Sequence, residues 1–250
     1  MAKVFYYDSA GITEATITGG THSGTTFAVD TPEVTNEHYI IDMSIAGGVT
    51  SFDAGDCIRI DFGAALSTAT DFLLHYNTSS DVDDLIIYTA SHATATGSGV
   101  FNDSASAVGW NLCSFGNSNR YVFIESATGA FTGGLTEIIM GTKLTFEHEP
   151  DLGGSTQEKF ATDINISYGG VEYANKRHEA QSTWTLNFKN ISQTFKDSLA
   201  SMEASVTDYK KFVYYDGSAY NYVRLGGPIN FIEVAYQRYS ASIKLREQLS

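Results

Sequence analysis

Three carboxylates crowd together in Asp81-Val-Asp83-Asp84, at the end of a polar stretch that begins at Asn77. Carboxylate and carbonyl oxygens at such spacing suit calcium, which takes several hard oxygen ligands. An acidic stretch is also at home as plain solvated surface, and both readings stand for Asp81, Asp83 and Asp84. Asn102 and Asp103, after Phe101, form a second polar group. Lys176, Arg177 and His178 make a basic cluster, read either as a contact for an acidic neighbour in an assembly or as an exposed hairpin tip. The histidines (His22, His38, His75, His92, His148 and His178) are scattered without metal-ligand spacing, and no Cys-x-x-Cys pair occurs. No Gly-x-Ser-x-Gly elbow or phosphate loop is present. The chain is therefore expected not to be an enzyme and to need no cofactor, although a dispersed glycosidase-type carboxylate pair leaves no local motif. Trp110 offers a ring on which a sugar would stack, while Leu112 two residues on favours a core-facing side.

These residues need a frame, and most of the frame reads as strands. One segment, Asn190 to Asp208, reads as a helix: Phe195, Leu199, Met202 and Val206 share a face at helical spacing, with Lys196, Asp197 and Glu203 pointing away. Asn190 and Gln193 have the spacing of a capping box. Before it, Trp184, Leu186 and Phe188 alternate with polar residues on a strand whose apolar side is the natural cover for the helix. After it come the strand-like runs Phe212 to Tyr215 and Tyr220 to Leu225, and a half-buried strand from Tyr239 to Leu245. In the first half, Cys57 to Phe62 has strict period two, with Ile58, Ile60 and Phe62 on one side and Cys57, Arg59 and Asp61 on the other. Phe72 to Tyr76, Leu85 to Tyr88, Trp110 to Phe115 and Arg120 to Glu125 follow with turns between them, the grammar of a β-sandwich.

The 250 residues hold 23 Gly, 15 Tyr and 15 Phe against 3 Pro, a palette of twisted strands and tight turns. Charge divides the chain. Met1 to Met140 carries three basic and sixteen acidic residues, net −13, whereas Gly141 to Ser250 carries twelve and thirteen, net −1, which together give −14. Two domains are expected, 1–140 and 141–250. A surface so acidic repels phosphates, so nucleic acid is not an expected partner of the first part. No run is long enough to span a bilayer, and Met-Ala-Lys-Val does not open like a secretory leader, so the chain is expected to be made in a cytoplasm. Cys57 and Cys113 read as reduced thiols on strands, with pairing across the sandwich as the alternative.

Ile60-Asp-Phe-Gly63, Ile86 to Tyr88, Gly109-Trp110-Asn111, Arg120 to Ile124 and Leu135 to Ile138 occur in an order that resembles the galactose-binding-like, or discoidin-like, jelly roll. The resemblance implies ligands, often sugars, held by loops at one end of the sandwich, with calcium bound nearby in some members. The loops with Asn77, Asp81, Asp83 and Asp84, and with Asn102 and Asp103, are the candidates. The second part resembles the β-domain of distal tail and minor tail proteins of long-tailed bacteriophages. The residues concerned are Tyr168-Gly-Gly, Tyr173, Lys176-Arg177, the Trp184 strand, the capped helix, Asp216-Gly217, Val223-Arg224 and the closing Tyr239 to Glu247 strand. That resemblance implies a ring, commonly a hexamer, between tail tube and tail tip in the virion, with the sandwich facing outward towards a host glycan. Lys176, Arg177 and His178 are its candidate subunit contact. The expected fold is thus mainly β: an N-terminal jelly-roll sandwich and a C-terminal antiparallel β domain with one α-helix. The alternatives are a stand-alone carbohydrate-binding module or another virion decoration protein.

Overall fold

The structure, a computed structural model, describes residues 2–23, 26–29, 40–41, 55–66, 69–76, 85–93, 99–103, 108–117, 119–126, 135–141, 143–151 and 155–248. The chain divides into two compact units, Tyr6–Lys143 and Met1–Phe5 with Leu144–Leu249. The first strand, β1 (Val4–Tyr6), pairs with β11 (Leu144–Thr145) in the register Val4↔Thr145 and Phe5↔Leu144. The opening residues expected in the sandwich domain thus supply a strand to the C-terminal sheet, and the sandwich sits between two strands that are neighbours there.

The sandwich unit is built from two antiparallel sheets. One has the order β3-β2-β4-β9-β6-β7, from β2 (Thr16–Ser23), β3 (Thr26–Ala28), β4 (Asp56–Asp61), β6 (Leu85–Ala90), β7 (Gly99–Asp103) and β9 (Tyr121–Ser126). The other has the order β10-β5-β8, from β5 (Ala69–Tyr76), β8 (Gly109–Asn117) and β10 (Leu135–Gly141). The period-two pattern of β4 decides the layers. Ile58 and Ile60 enter a core shared with Phe72, Leu74 and Tyr76 of β5 and Ile138 and Met140 of β10. Cys57 faces the other way, yet it too is fully buried, in a second cluster with Phe27, Tyr121 and Phe123. Arg59 completes that outer layer with its guanidinium 5.0 Å from the Phe27 ring centre, donating to the Ala93 carbonyl at 3.1 Å. Cys113 lies in the inner core, so the two free thiols belong to different layers.

The C-terminal unit is one antiparallel sheet ordered β11-β1-β14-β15-β17-β13-β12, with β16 also on β17. Its strands are β12 (Ser155–Ile166), β13 (Glu172–Ser192), β14 (Phe212–Tyr215), β15 (Tyr220–Leu225), β16 (Asn230–Ala235) and β17 (Arg238–Glu247). The expected helix is α1 (Gln193–Val206), and Phe195, Leu199, Met202 and Val206 are its buried residues. They meet an aromatic core: Phe188 lies 5.8 Å from Phe195 and 5.2 Å from Phe146, which in turn lies 4.7 Å from Phe5.

The helix begins later than the capping-box spacing predicts. Asn190 has φ of 61° at a bulge between Phe188 and Ile191, and the strand continues through Ile191, which is fully buried and paired with Tyr239. Burying Ile191 keeps the chain extended for two more residues, and Ser192 becomes the N-cap, its hydroxyl accepting from the Phe195 N–H at 3.2 Å. Gln193 is then the first helical residue and donates instead to Asp197 at 2.7 Å.

Candidate functional site

β13 is much longer than the strand beside it. Its pairing with β17 starts at Thr183, whereas its pairing with β12 runs from Thr185 back to Glu172. Residues 172–182 and their β12 partners therefore leave the sheet as a two-stranded arm, about 35 Å long at the usual rise per residue. Hydrogen bonds brace the root: the Ser182 N–H donates to Glu247 at 2.7 Å and Arg246 donates to the Gln181 side chain at 2.7 Å. Tyr168-Gly-Gly turns the tip, with Gly170 at φ of 78° and the Ser167 N–H donating to the Val171 carbonyl. Apolar side chains crowd this end. Ile164, Ile166, Val171 and Tyr173 are each more than half exposed and Tyr168 is fully exposed.

A second exposed group lies at the far end of the same strands. β13 ends at Ser192 opposite Arg238, the start of β17, so the β16–β17 turn at Tyr236–Gln237 sits at the end away from the arm. Ile232, Val234 and Tyr236 are exposed there, and the other edge of β16 pairs with nothing among the described residues. Scattered apolar residues are normal on a surface; side chains concentrated on one hairpin and one open edge are candidates for contact surfaces.

The same unit holds a cleft of about 420 Å³ lined by residues that include Lys3, Asp151, Trp184, Tyr214 and Asp216. Trp184 packs edge-on against Tyr214, ring centres 6.2 Å apart. Asp216 caps its own turn, one oxygen accepting from the Ser218 N–H, the Ser218 hydroxyl and the Ala219 N–H, each at 2.8 Å. Burial pushes its pKa up, but these hydrogen bonds together outweigh it and leave the value below the ordinary one. Tyr214 moves the other way: burial, then the charges of Asp216 and Glu149, raise its hydroxyl to about 12.

The residues singled out in the sequence fall in different places. Asn77, Asp81, Asp83 and Asp84 lie outside the described residues. Asn102 and Asp103 are strand residues of β7, paired with Ile86 and Leu85, where a loop was expected. Lys176, Arg177 and His178 lie along the arm at a β-bulge, with Lys176 opposite Thr162, His178 opposite Ala161 and Arg177 the extra residue. The tip is at Tyr168–Gly170, so the basic cluster is not a hairpin tip. Trp110 is buried with its ring against His75, 4.9 Å between centres, but its register with His75 places it on the face of that sheet away from the core shared with β4, where its alternation with Leu112 predicted the core-facing side. Burial also holds the His75 pKa down at about 4. Among the described residues no group of three His, Cys, Asp or Glu is placed to hold a metal ion, and no helix is long and apolar enough to cross a membrane.

The cleft escaped sequence reasoning. Lys3, Asp151, Trp184 and Asp216 come from four separate stretches, and only the pairing of β1 into this sheet brings Lys3 to the others. The exposed arm left a trace in the unusual density of apolar residues between Ile164 and Tyr173 around a Gly-Gly turn.

No protein-family model matches the chain, and no curated protein matches it. Among solved structures, the chain is similar to chitosan-binding module 1 of a chitosanase/glucanase from Paenibacillus sp. IK-5, at 14% identity over 51% of this chain and 95% of that one, with a TM-score of 0.39. It is also similar to a fucolectin from the serum of striped bass, Morone saxatilis, at 11% identity over 74% of this chain and 71% of that one, with a TM-score of 0.38.

Proposed function

We propose that this chain is a non-catalytic structural protein that assembles with copies of itself through the C-terminal unit, as a ring at the distal end of a phage tail. The observation that carries self-assembly is the pair of exposed apolar surfaces at opposite ends of one sheet. Two unlike patches facing opposite ways describe a heterologous contact, in which the arm of one copy meets the β16 end of the next. Such contacts close into rings or run on as filaments. The tail assignment is the finer part and rests on the order of elements in the sequence, with the tail tube and tail tip as the implied partners.

The second reading is a carbohydrate-binding protein, in which the sandwich unit takes a glycan with or without a ring. What supports it is the two-layer sandwich, together with the order of motifs along the sequence that resembles the galactose-binding-like jelly roll.

Mass in solution and negative-stain electron microscopy test the first reading. Rings or head-to-tail filaments are the expected result, and replacing Ile166 by Asp is expected to return the protein to single chains without lowering its melting temperature. Single chains at every concentration tested would overturn self-assembly, and binding on a glycan array would then establish the second reading.

A further inference from the structure

One face of the C-terminal sheet carries positive charge without its counterpart. Val223, Leu225, Ile243 and Leu245 are buried in the core, so Arg224, Lys244 and Arg246, which alternate with them on β15 and β17, stand on the opposite face. Lys244 is exposed, and the two arginines are half-buried. Arg224 and Arg246 are direct partners across the strands. The Gly226 N–H donates to the Lys244 carbonyl at 2.8 Å, so by alternation Arg224 and Arg246 form a hydrogen-bonded pair, with Cα atoms about 5.5 Å apart. Lys244 follows about 7 Å along β17. Gly226 beside it adds no side chain. Like charges directly opposed on a sheet are destabilising. Yet in a chain of 29 acidic and 15 basic residues, no carboxylate pairs with any of these three cations among the described residues. Glu247, next to Arg246 in the chain, accepts from the Ser182 N–H at 2.7 Å instead.

Arg246 is also held in place. Its Nε donates to the Gln181 side chain at 2.7 Å, and Gln181, buried, donates its own amide to the Glu247 carbonyl. That arrangement occupies Nε and keeps the two Nη groups as donors. We propose that Arg224, Arg246 and Lys244 bind a multiply charged phosphoryl oxyanion. Paired guanidiniums match the several oxygens of a phosphoryl group, and the ammonium adds a third point of charge. Three cations select a ligand with two or more negative charges over a single carboxylate. The anion relieves the repulsion between the opposed arginines, which no residue of the chain does. The site lies on the nearly neutral unit, net −1 over Gly141 to Ser250, and is independent of assembly because every residue named belongs to one sheet of one chain. The phosphoryl group is carried either by a small molecule or by a polymer.

Calorimetric titration of the full chain with pyrophosphate at low salt is the test. Saturable one-to-one binding is expected, with a dissociation constant of about 1 mM or below. Acetate is expected to bind at least about tenfold more weakly, as is pyrophosphate to Arg224→Gln and to Arg246→Gln. Lys196→Gln, which removes the same charge from the helix, is expected to bind as the parent does. Melting curves give a second reading: each arginine variant is expected to melt no lower than the parent, because the opposed charges are gone, and to lose the stabilisation that pyrophosphate gives the parent. Absence of pyrophosphate binding by the parent, or equal binding of acetate, overturns the proposal whether or not a variant folds. Unchanged affinity in the folded arginine variants, or an equal loss in Lys196→Gln, overturns the assignment to this face. Linear polyphosphate that binds more tightly than pyrophosphate identifies a polymer as the source, and equal affinity identifies a small molecule.

Discussion

Ser192 and His75 show how single residues report on their surroundings. The Ser192 hydroxyl accepts from the first turn of α1, while it and its own N–H donate to Glu147 at 2.8 and 3.0 Å. Ser192→Ala is expected to cost about 0.5–2 kcal/mol in chemical denaturation, the usual worth of a cap. Asn190→Gly is expected to stay within about 0.5 kcal/mol, because glycine tolerates the positive φ of the bulge and no cap is lost. A reversed order of the two would restore Asn190 as the cap. His75 Nδ1 shares a hydrogen bond of 2.6 Å with the Thr136 hydroxyl, whose oxygen also lies 3.2 Å from the His75 carbonyl. Its folded pKa is about 4, below the ordinary 6.5. As pH falls below 6.5 the unfolded chain takes up a proton that the folded chain refuses, so stability drains away between pH 6.5 and 4 and the loss stops below that window. Thermal melts of the parent and His75→Gln across this range should differ in slope, with the variant flatter. Equal slopes would place the acid sensitivity elsewhere.

At the scale of elements the helix is the strongest case. All four residues of its apolar face are buried, Leu199 and Met202 completely. Leu199→Ala is expected to cost about 2–5 kcal/mol, measured as a shift of the denaturation midpoint at constant slope. A cost under about half a kcal/mol would mean that the face finds no partner. The face was legible in the sequence because helical spacing is a local property; the start was not, because Ile191 had to be buried in the strand before it. The same contrast runs through the sandwich. Alternation placed Ile58 and Ile60 together, but nothing local revealed that Cys57 on the other side is equally buried beneath Phe27 and Phe123. Lys176 to His178 were legible as a basic cluster on a hairpin, while their place at a bulge depends on the register with β12. The cleft was not legible at all, being a product of strand order.

For the whole molecule, the insertion of one unit into the other is the governing feature. Phe5 is fully buried against Phe146 and Phe212, so the C-terminal unit is incomplete without the first five residues of the chain. Yet Phe5 and Leu144 are cross-strand partners, with Cα atoms about 5 Å apart by ordinary antiparallel geometry. A short hairpin loop spans such a gap as easily as a 138-residue domain, Tyr6–Lys143. Replacing those residues by a short Asn-Gly turn is therefore expected to leave a C-terminal unit that melts cooperatively, whereas deleting residues 1–5 is expected to abolish that transition. The charge follows the same cut, since nearly all of the net −14 resides in the first 140 residues. Copies brought together through the nearly neutral unit carry acidic sandwiches that repel one another, and salt screens that repulsion. Assembly of the full chain should thus strengthen as salt rises, and the chain without the sandwich should assemble with little dependence on it. Sedimentation at low and high salt separates the cases. A full chain whose assembly weakens with salt would require charge-paired contacts between copies in place of the apolar ones at the arm and β16.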